Sequence, residues 1–144
     1  MTDTFTTIQR HCGLLCVVAL LSVLGCGHGG RVSVEGTVTL DGKSLEKGQI
    51  QFSPLPGTGG PTAGAKIVDG RFAIPVEGGP FSGKFRVKIT QSGPTGRKKL
   101  DPRSNTMVDE YTQLLPARYN TESKLEAEVT SSGPNEFEFA LTSK

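Results

Sequence analysis

Histidine and cysteine carry much of acid–base, nucleophilic and metal chemistry, and this 144-residue chain has only two His and three Cys. A general base must sit beside its nucleophile in fixed geometry. His28 stands in Gly27-His28-Gly29-Gly30, a segment too flexible to hold that geometry. Gly78-Gly79-Pro80-Phe81-Ser82-Gly83-Lys84 has the G-x-x-x-x-G-K spacing of a phosphate-binding loop. Phe85 stands where Ser or Thr would hold Mg²⁺, and an alternating strand follows instead of the helix whose N-terminus would take phosphate. A glycine-proline turn entering a strand accounts for it.

Metal ligands are as sparse. No Cys/His cluster has zinc spacing, and Asp101, Asp109 and Glu110 lack the EF-hand pattern, so no metal or other cofactor is expected. Glu126/Glu128 and Glu136/Glu138 suggest a glycosidase carboxylate pair. They alternate strictly with apolar residues, however, and read as outward sheet faces that offset Lys84, Arg86 and Lys88 on a neighbouring strand. No catalytic residue is expected, and the chain reads as a non-enzyme.

The 16 Lys/Arg and 14 Asp/Glu leave a net charge of +2, too balanced for a nucleic-acid partner. Gly (19) and Pro (9) are enriched and Trp is absent, which suits a turn-rich all-β protein.

Residues 1–25 read as a signal peptide. Arg10 precedes the uncharged stretch 13–24, too short to span a bilayer but of the length of a signal-peptide core. The stretch ends in Val23-Leu24-Gly25-Cys26, which resembles a bacterial lipobox. The resemblance implies that Val23, Leu24 and Gly25 are read by a signal peptidase and that Cys26 carries the lipid; Val23 stands where Leu is commoner. Cys12 and Cys16 lack the small preceding residue. Cleavage before Cys26 would leave one Cys, consumed by lipid, and therefore no disulfide. The domain would have to stabilise itself through its core alone. Acyl chains at ~0.8 kcal/mol per buried CH₂ anchor firmly. Residues 26–31 read as lipidated Cys and tether, and Gly27 rather than Asp at the second position permits sorting to the outer membrane.

From residue 32 to 144 the period is two. Val32, Val34, Val38 and Leu40 alternate with polar residues up to Asp41-Gly42, a type I′ hairpin signal that sets Val38 opposite Leu45. Gln49-Ile50-Gln51-Phe52 alternates until Pro54. Asp69-Gly70 joins Ala63–Val68 to Arg71–Ile74, which sets Ile67 opposite Phe72 and Ala65 opposite Ile74. Phe85, Val87 and Ile89 share one face of 82–90; Leu125, Ala127 and Val129, then Phe137, Phe139 and Leu141, complete the set. Seven or eight short strands predict an all-β, antiparallel two-sheet sandwich.

Val34-Glu35-Gly36-Thr37-Val38, Asp41-Gly42-Lys43-Ser44-Leu45 and Gly48-Gln49-Ile50-Gln51-Phe52 resemble the opening of a carboxypeptidase regulatory-like domain, a transthyretin-like (prealbumin-like) sandwich. Leu115-Pro116-Ala117-Arg118-Tyr119-Asn120 and the strands after it resemble small lipoproteins of planctomycete-type bacteria. The resemblance implies the fold and little about activity. Transthyretin-like hydroxyisourate hydrolases use His, Arg and a Tyr-Arg-Gly-Ser ending, whereas this chain ends Leu141-Thr142-Ser143-Lys144.

Residues 93–122 read as a long loop, of a length that calls for a function. Its first part is basic and expected to be exposed and mobile, and Arg97, Lys98, Lys99 and Arg103 are candidate contacts to an anionic partner. Val108, Tyr111 and Leu115 have helix-like spacing, Pro116 stops any helix, and Leu115 and Tyr119 are expected to dock and cover a sheet edge. Two function classes follow. One is a non-enzymatic, lipid-anchored envelope module contacting protein or glycan, with the membrane as partner through Cys26. The other is a transthyretin-like carrier of a small ligand or glycan, which needs an apolar pocket or dimer channel.

Overall fold

The computed structural model describes residues 30–144, and the signal-peptide and lipobox expectations lie outside them. Among the described residues ten strands form: β1 (Val34–Leu40), β2 (Lys43–Ser44), β3 (Lys47–Pro54), β4 (Ala63–Val68), β5 (Arg71–Ile74), β6 (Gly83–Thr90), β7 (Ser92–Asp101), β8 (Thr106–Gln113), β9 (Glu126–Val129) and β10 (Glu136–Leu141). Eight make one sheet in the order β10-β1-β5-β4-β3-β6-β9, with β2 beside β1; β7 and β8 pair separately. The all-β reading holds.

The two Asp-Gly turns take the type I′ form that their sequence demands. Asp41 and Gly42 have φ of 50° and 78°, and Asp69 and Gly70 have 50° and 77°. The first turn pairs Leu40 with Lys43, and Leu45 N–H donates to Val38 at 3.0 Å. The second begins its hairpin with Val68 opposite Arg71 and then splits. Ile67 pairs with Gly48 and Ala65 with Ile50 on β3, while Phe72 pairs with Gly36 and Ile74 with Val34 on β1. The cross-strand pairs expected from the sequence are therefore not made. The segment Leu45-Glu46 holds the fork open: Gly70 N–H donates to the Leu45 carbonyl and Asp69 N–H to that of Glu46, both at 2.9 Å. Leu45 is itself buried.

That single linking pair lets the sheet curl. Phe52 on β3 meets Phe72 on β5 (ring centroids 6.1 Å apart), Phe137 and Phe139 on β10 (6.0 and 6.5 Å) and Phe85 on β6 (6.4 Å). Rings from both sides of the fork thus share one core, as the alternation implied. Val34, Val38, Ile50, Ile67, Ile74, Val87, Ile89, Val129 and Leu141 complete it, and Phe137 packs half-buried against it.

Two further expectations are corrected. The sheet is not wholly antiparallel, because β10 runs parallel to β1, pairing Gly36 with Phe137, Val38 with Phe139 and Leu40 with Leu141. A Cβ on Gly36 would fall 1.9 Å from the Phe137 carbonyl oxygen, so the approach of these strands requires glycine there. This pairing also sets Glu136 beside Glu35, so the β10 carboxylates do not offset the β6 cations. Those on β9 do: Lys84 lies opposite Glu128, and Arg86 pairs with Glu126 at 3.0 Å.

The second correction concerns 93–122, which is not one long loop. Its first two-thirds form the β7–β8 hairpin, closed by an Asp101-Pro102 turn in which Asn105 has φ 53°. Asp101 accepts from Arg103 N–H and from Asn105 N–H, each at 2.8 Å. The helix-like Val108–Tyr111 spacing falls on β8, where Val, Tyr and Thr favour an extended chain. Leu115 and Tyr119 dock as expected, at 4% and 9% exposure. Ser123 Oγ donates to the Val87 carbonyl at 2.5 Å and Val87 N–H to that of Leu125 at 2.9 Å, so this segment covers the β6 edge beyond β9.

Removing Phe52, fully buried at the centre of the aromatic cluster, should destabilise strongly. Phe52→Ala is expected to cost ~3–5 kcal/mol in urea unfolding, while Glu138→Ala on the outward face should stay within about 0.5 kcal/mol. Equal effects would refute this assignment of faces.

Candidate functional site

Three surface features present chemistry: the C-terminal clamp, a polar hollow on the sheet, and the hairpin.

At the clamp, Tyr119 ends a single 3₁₀ turn, Ala117–Tyr119, that follows Pro116. Its Oη accepts the Thr142 N–H at 3.0 Å and lies 3.2 Å from Thr142 Oγ1. Arg118 lies over the Tyr119 ring at 4.9 Å and donates to the Thr142 carbonyl at 2.7 Å, to Thr142 Oγ1 at 3.0 Å and to the Lys144 carbonyl. Ser143 N–H donates to Asp41 Oδ1 at 3.0 Å and holds that carboxylate below its ordinary range. The Thr142 hydrogen bond, then Arg118, lowers the Tyr119 phenol to about 8. A perturbed phenol can mark a catalytic acid, but the Tyr119 hydroxyl bonds Thr142 of the tail that follows β10, and Arg118 beside it reaches the same tail. The arrangement fastens that strand.

The hollow lies on the outer face of β4, β3 and β6. Gln49 is flanked by Lys66 and Thr90, and Gln51 by Gly64 and Lys88. Gly64 lacks the side chain that would fill the gap beside Gln51, leaving an open concavity of about 570 Å³. Two amides and two ammonium groups can hydrogen-bond hydroxyls and pair with a carboxylate, sulfate or phosphate. Sequence reading missed this site because Gln49 and Gln51 look like any outward strand positions. The glycine inside strand 63–68 was the available signal.

The hairpin carries Arg97, Lys98, Lys99 and Arg103 but does not bring them together. Arg97 pairs with Glu110 at 3.1 Å, and Thr95 Oγ1 donates to the same carboxylate at 3.1 Å. Lys98 stands opposite Asp109 and Lys99 opposite Val108, on opposite faces of the ribbon, and Arg103 lies in the end turn. These candidate contacts therefore point to different sides of the ribbon, and Arg97 is held by Glu110. The segment's large apolar side chains instead lie in the open: Leu100 is 56%, Met107 57% and Tyr111 60% exposed.

The Gly78–Lys84 motif forms a 3₁₀ turn, Val76–Gly78, a bridge between Phe81 and Arg31, and the start of β6. Among the described residues, no group of three His, Cys, Asp or Glu side chains could hold a metal ion, and no helix is long and apolar enough to cross a membrane. Cys26, Val23, Leu24 and Gly25 lie outside the described residues.

No family model and no curated protein matches the chain. Among solved structures it is similar to a 9R-lipoxygenase from Cyanothece PCC8801, with 15% identity and a TM-score of 0.39 over 81% of this chain. The chain spans 17% of that protein's length.

The clamp can be read directly. Absorbance titration should show one phenol ionising near pH 8, and Tyr119→Phe should lose that transition. Because the folded pKa lies below the unfolded value of ~10, the phenolate stabilises the fold. That contribution is absent below the folded pKa, grows as pH rises through it, and is complete above ~10. Across this window the wild type should gain stability relative to Tyr119→Phe; parallel pH profiles would refute the clamp.

Proposed function

We propose that this chain is a non-enzymatic, lipid-anchored β-sandwich of the bacterial envelope, transthyretin-like in kind, that works by contacting other molecules. The Val23-Leu24-Gly25-Cys26 sequence supports export and lipidation at Cys26. The two arms of the curled sheet, β10-β1-β5 and β4-β3-β6-β9, facing each other across Phe52, support the sandwich. Gly27 favours the outer membrane as destination.

The observation that carries an interaction role is the placement of the hairpin. The chain enters the domain where Arg31 bridges Phe81, beside the start of β6, and the hairpin leaves just after β6 ends at Thr90. Eight residues of strand put these points roughly 25 Å apart, whereas residues 26–31 reach only about 17–18 Å. A lipid on Cys26 would hold one end of the domain at the membrane and leave the hairpin root at the other. An exposed apolar ribbon held away from the bilayer suits contact between proteins.

The polar hollow favours a second reading, contact with an acidic glycan. Gln49, Gln51, Lys66 and Lys88 offer the donors that such a ligand needs, while among the described residues phenylalanine rings pack the space between the two arms of the sheet.

Metabolic labelling with a clickable fatty acid tests the anchor: Cys26→Ser should lose the label and move the chain from the membrane to the soluble fraction. Continued labelling would overturn it. For the glycan reading, Lys66→Gln/Lys88→Gln should weaken retention on an immobilised uronic-acid polymer roughly tenfold, about 1.4 kcal/mol, with the fold unchanged; unaltered retention would exclude the hollow.

A further inference from the structure

β7 and β8 pair with each other and with no other strand, and a lone two-stranded ribbon is marginal in water unless something covers it. Its two faces differ. Between the Pro94–Tyr111 and Lys98–Asp109 pairs the ladder shifts register, so Thr95-Gly96-Arg97 stands against Glu110 alone. Gly96 takes φ 77°, and Thr95 and Arg97 both reach the Glu110 carboxylate. That ion pair satisfies one face. The other holds three cross-strand pairs in line: Leu100–Met107 near the turn, Lys98–Asp109 in the middle and Pro94–Tyr111 near the root.

This order is self-complementary. A two-fold axis running along the ribbon, between its strands, lays each β7 over the partner copy's β8. Leu100 then faces Met107, Pro94 faces Tyr111, Lys98 faces Asp109 and Asp109 faces Lys98. The alternative axis, across the ribbon, would set Lys98 on Lys98 and Asp109 on Asp109. Charge therefore selects the first, in which both hairpins point the same way and both chains enter from the same side. We propose that the Leu100/Met107/Tyr111 face of the hairpin docks on the same face of a second copy of this chain, with each Lys98 against the other copy's Asp109.

This surface deepens the interaction role by naming its partner. Six side chains a side fall well below the ~800 Å² per partner of a standard interface, so the contact is weak and depends on local concentration, which a shared membrane would supply.

Carbodiimide, which joins ammonium to carboxylate directly, tests it on the full chain in the cells that produce it. The wild type should give a crosslinked dimer; because Lys98 and Asp109 also stand opposite each other within one chain, the diagnostic bond between residues 98 and 109 is read in the mixture of variants below, where neither chain holds both groups. Lys98→Asp alone sets acid against acid and Asp109→Lys alone sets ammonium against ammonium, and each should lower the dimer yield roughly tenfold or more. Producing the two variants together should restore the dimer, because Asp at 98 of one then faces Lys at 109 of the other. That recovery also shows that both variants fold. Single variants that crosslink like wild type, a mixture that does not recover, or a hairpin crosslinked to a different protein would each overturn the proposal. Yield is scored in whichever fraction holds the chain, so a wholly soluble chain would overturn the anchor and leave this test standing.

Discussion

The contact of the Phe52 ring with rings from both arms of the sheet is the interaction on which the rest depends. Only Val68–Arg71 connects β4 to β5 in the ladder, so backbone hydrogen bonding does little to set how far the two arms fold together. Side chains must do it. Phe52 sits on β3 in one arm and meets Phe72 and Phe139 of the other, and those two lie 6.3 Å apart. Tilted and edge-on aromatic pairs add ~0.5–1.5 kcal/mol each beyond the area they bury. With only two Tyr and no Trp in the chain, the phenylalanines supply nearly all the aromatic bulk of the core.

Closure of the sheet follows from the same constraint. The last strand, β10, brings Phe137 and Phe139 to the cluster, and it does so beside the first strand, in parallel. A parallel neighbour cannot be reached through a tight hairpin, so nothing local holds β10 in register. The tail beyond it is fastened instead by the Tyr119 hydroxyl, the Arg118 guanidinium and the Asp41 carboxylate. Asp41 belongs to the first hairpin turn and Tyr119 to the segment docked over β6, so one short tail ties the beginning, middle and end of the chain.

What could be read from the sequence was local in origin. Asp-Gly turns carry their conformation in two residues, and period-two alternation identifies the buried face wherever one face is wet, which is why Phe52, Ile67, Phe72, Phe85, Phe139 and Leu141 were legible as core. Partner choice was not legible. Alternation says which way Phe72 points but not that β1, rather than β4, lies beside it; the wedge at Leu45-Glu46 decides that, and it is a tertiary effect. The β7–β8 hairpin was missed for a different reason. Neither of its faces is buried, so it lacks the amphipathic period that exposes a strand, and its cationic run looks like loop. The hollow escaped because it consists of a missing side chain, Gly64, between ordinary polar neighbours.

The separation of hairpin from core also explains how the surface can be specialised. Substitutions at Phe52 or Gly36 are felt throughout the sheet, because a void or a clash there acts on both arms or on the β1–β10 approach. Leu100, Met107 and Tyr111 contribute almost nothing to that core, and their exposure costs the fold little. They are free of the packing constraints that fix Phe52 and Gly36. An apolar face without a supporting layer is unfavourable in water for an isolated domain, and apolar residues aligned on both sides of the Lys98–Asp109 register pair are poorly explained by solubility alone. The core, stabilised without help from the hairpin, leaves that stretch free to be shaped by contact.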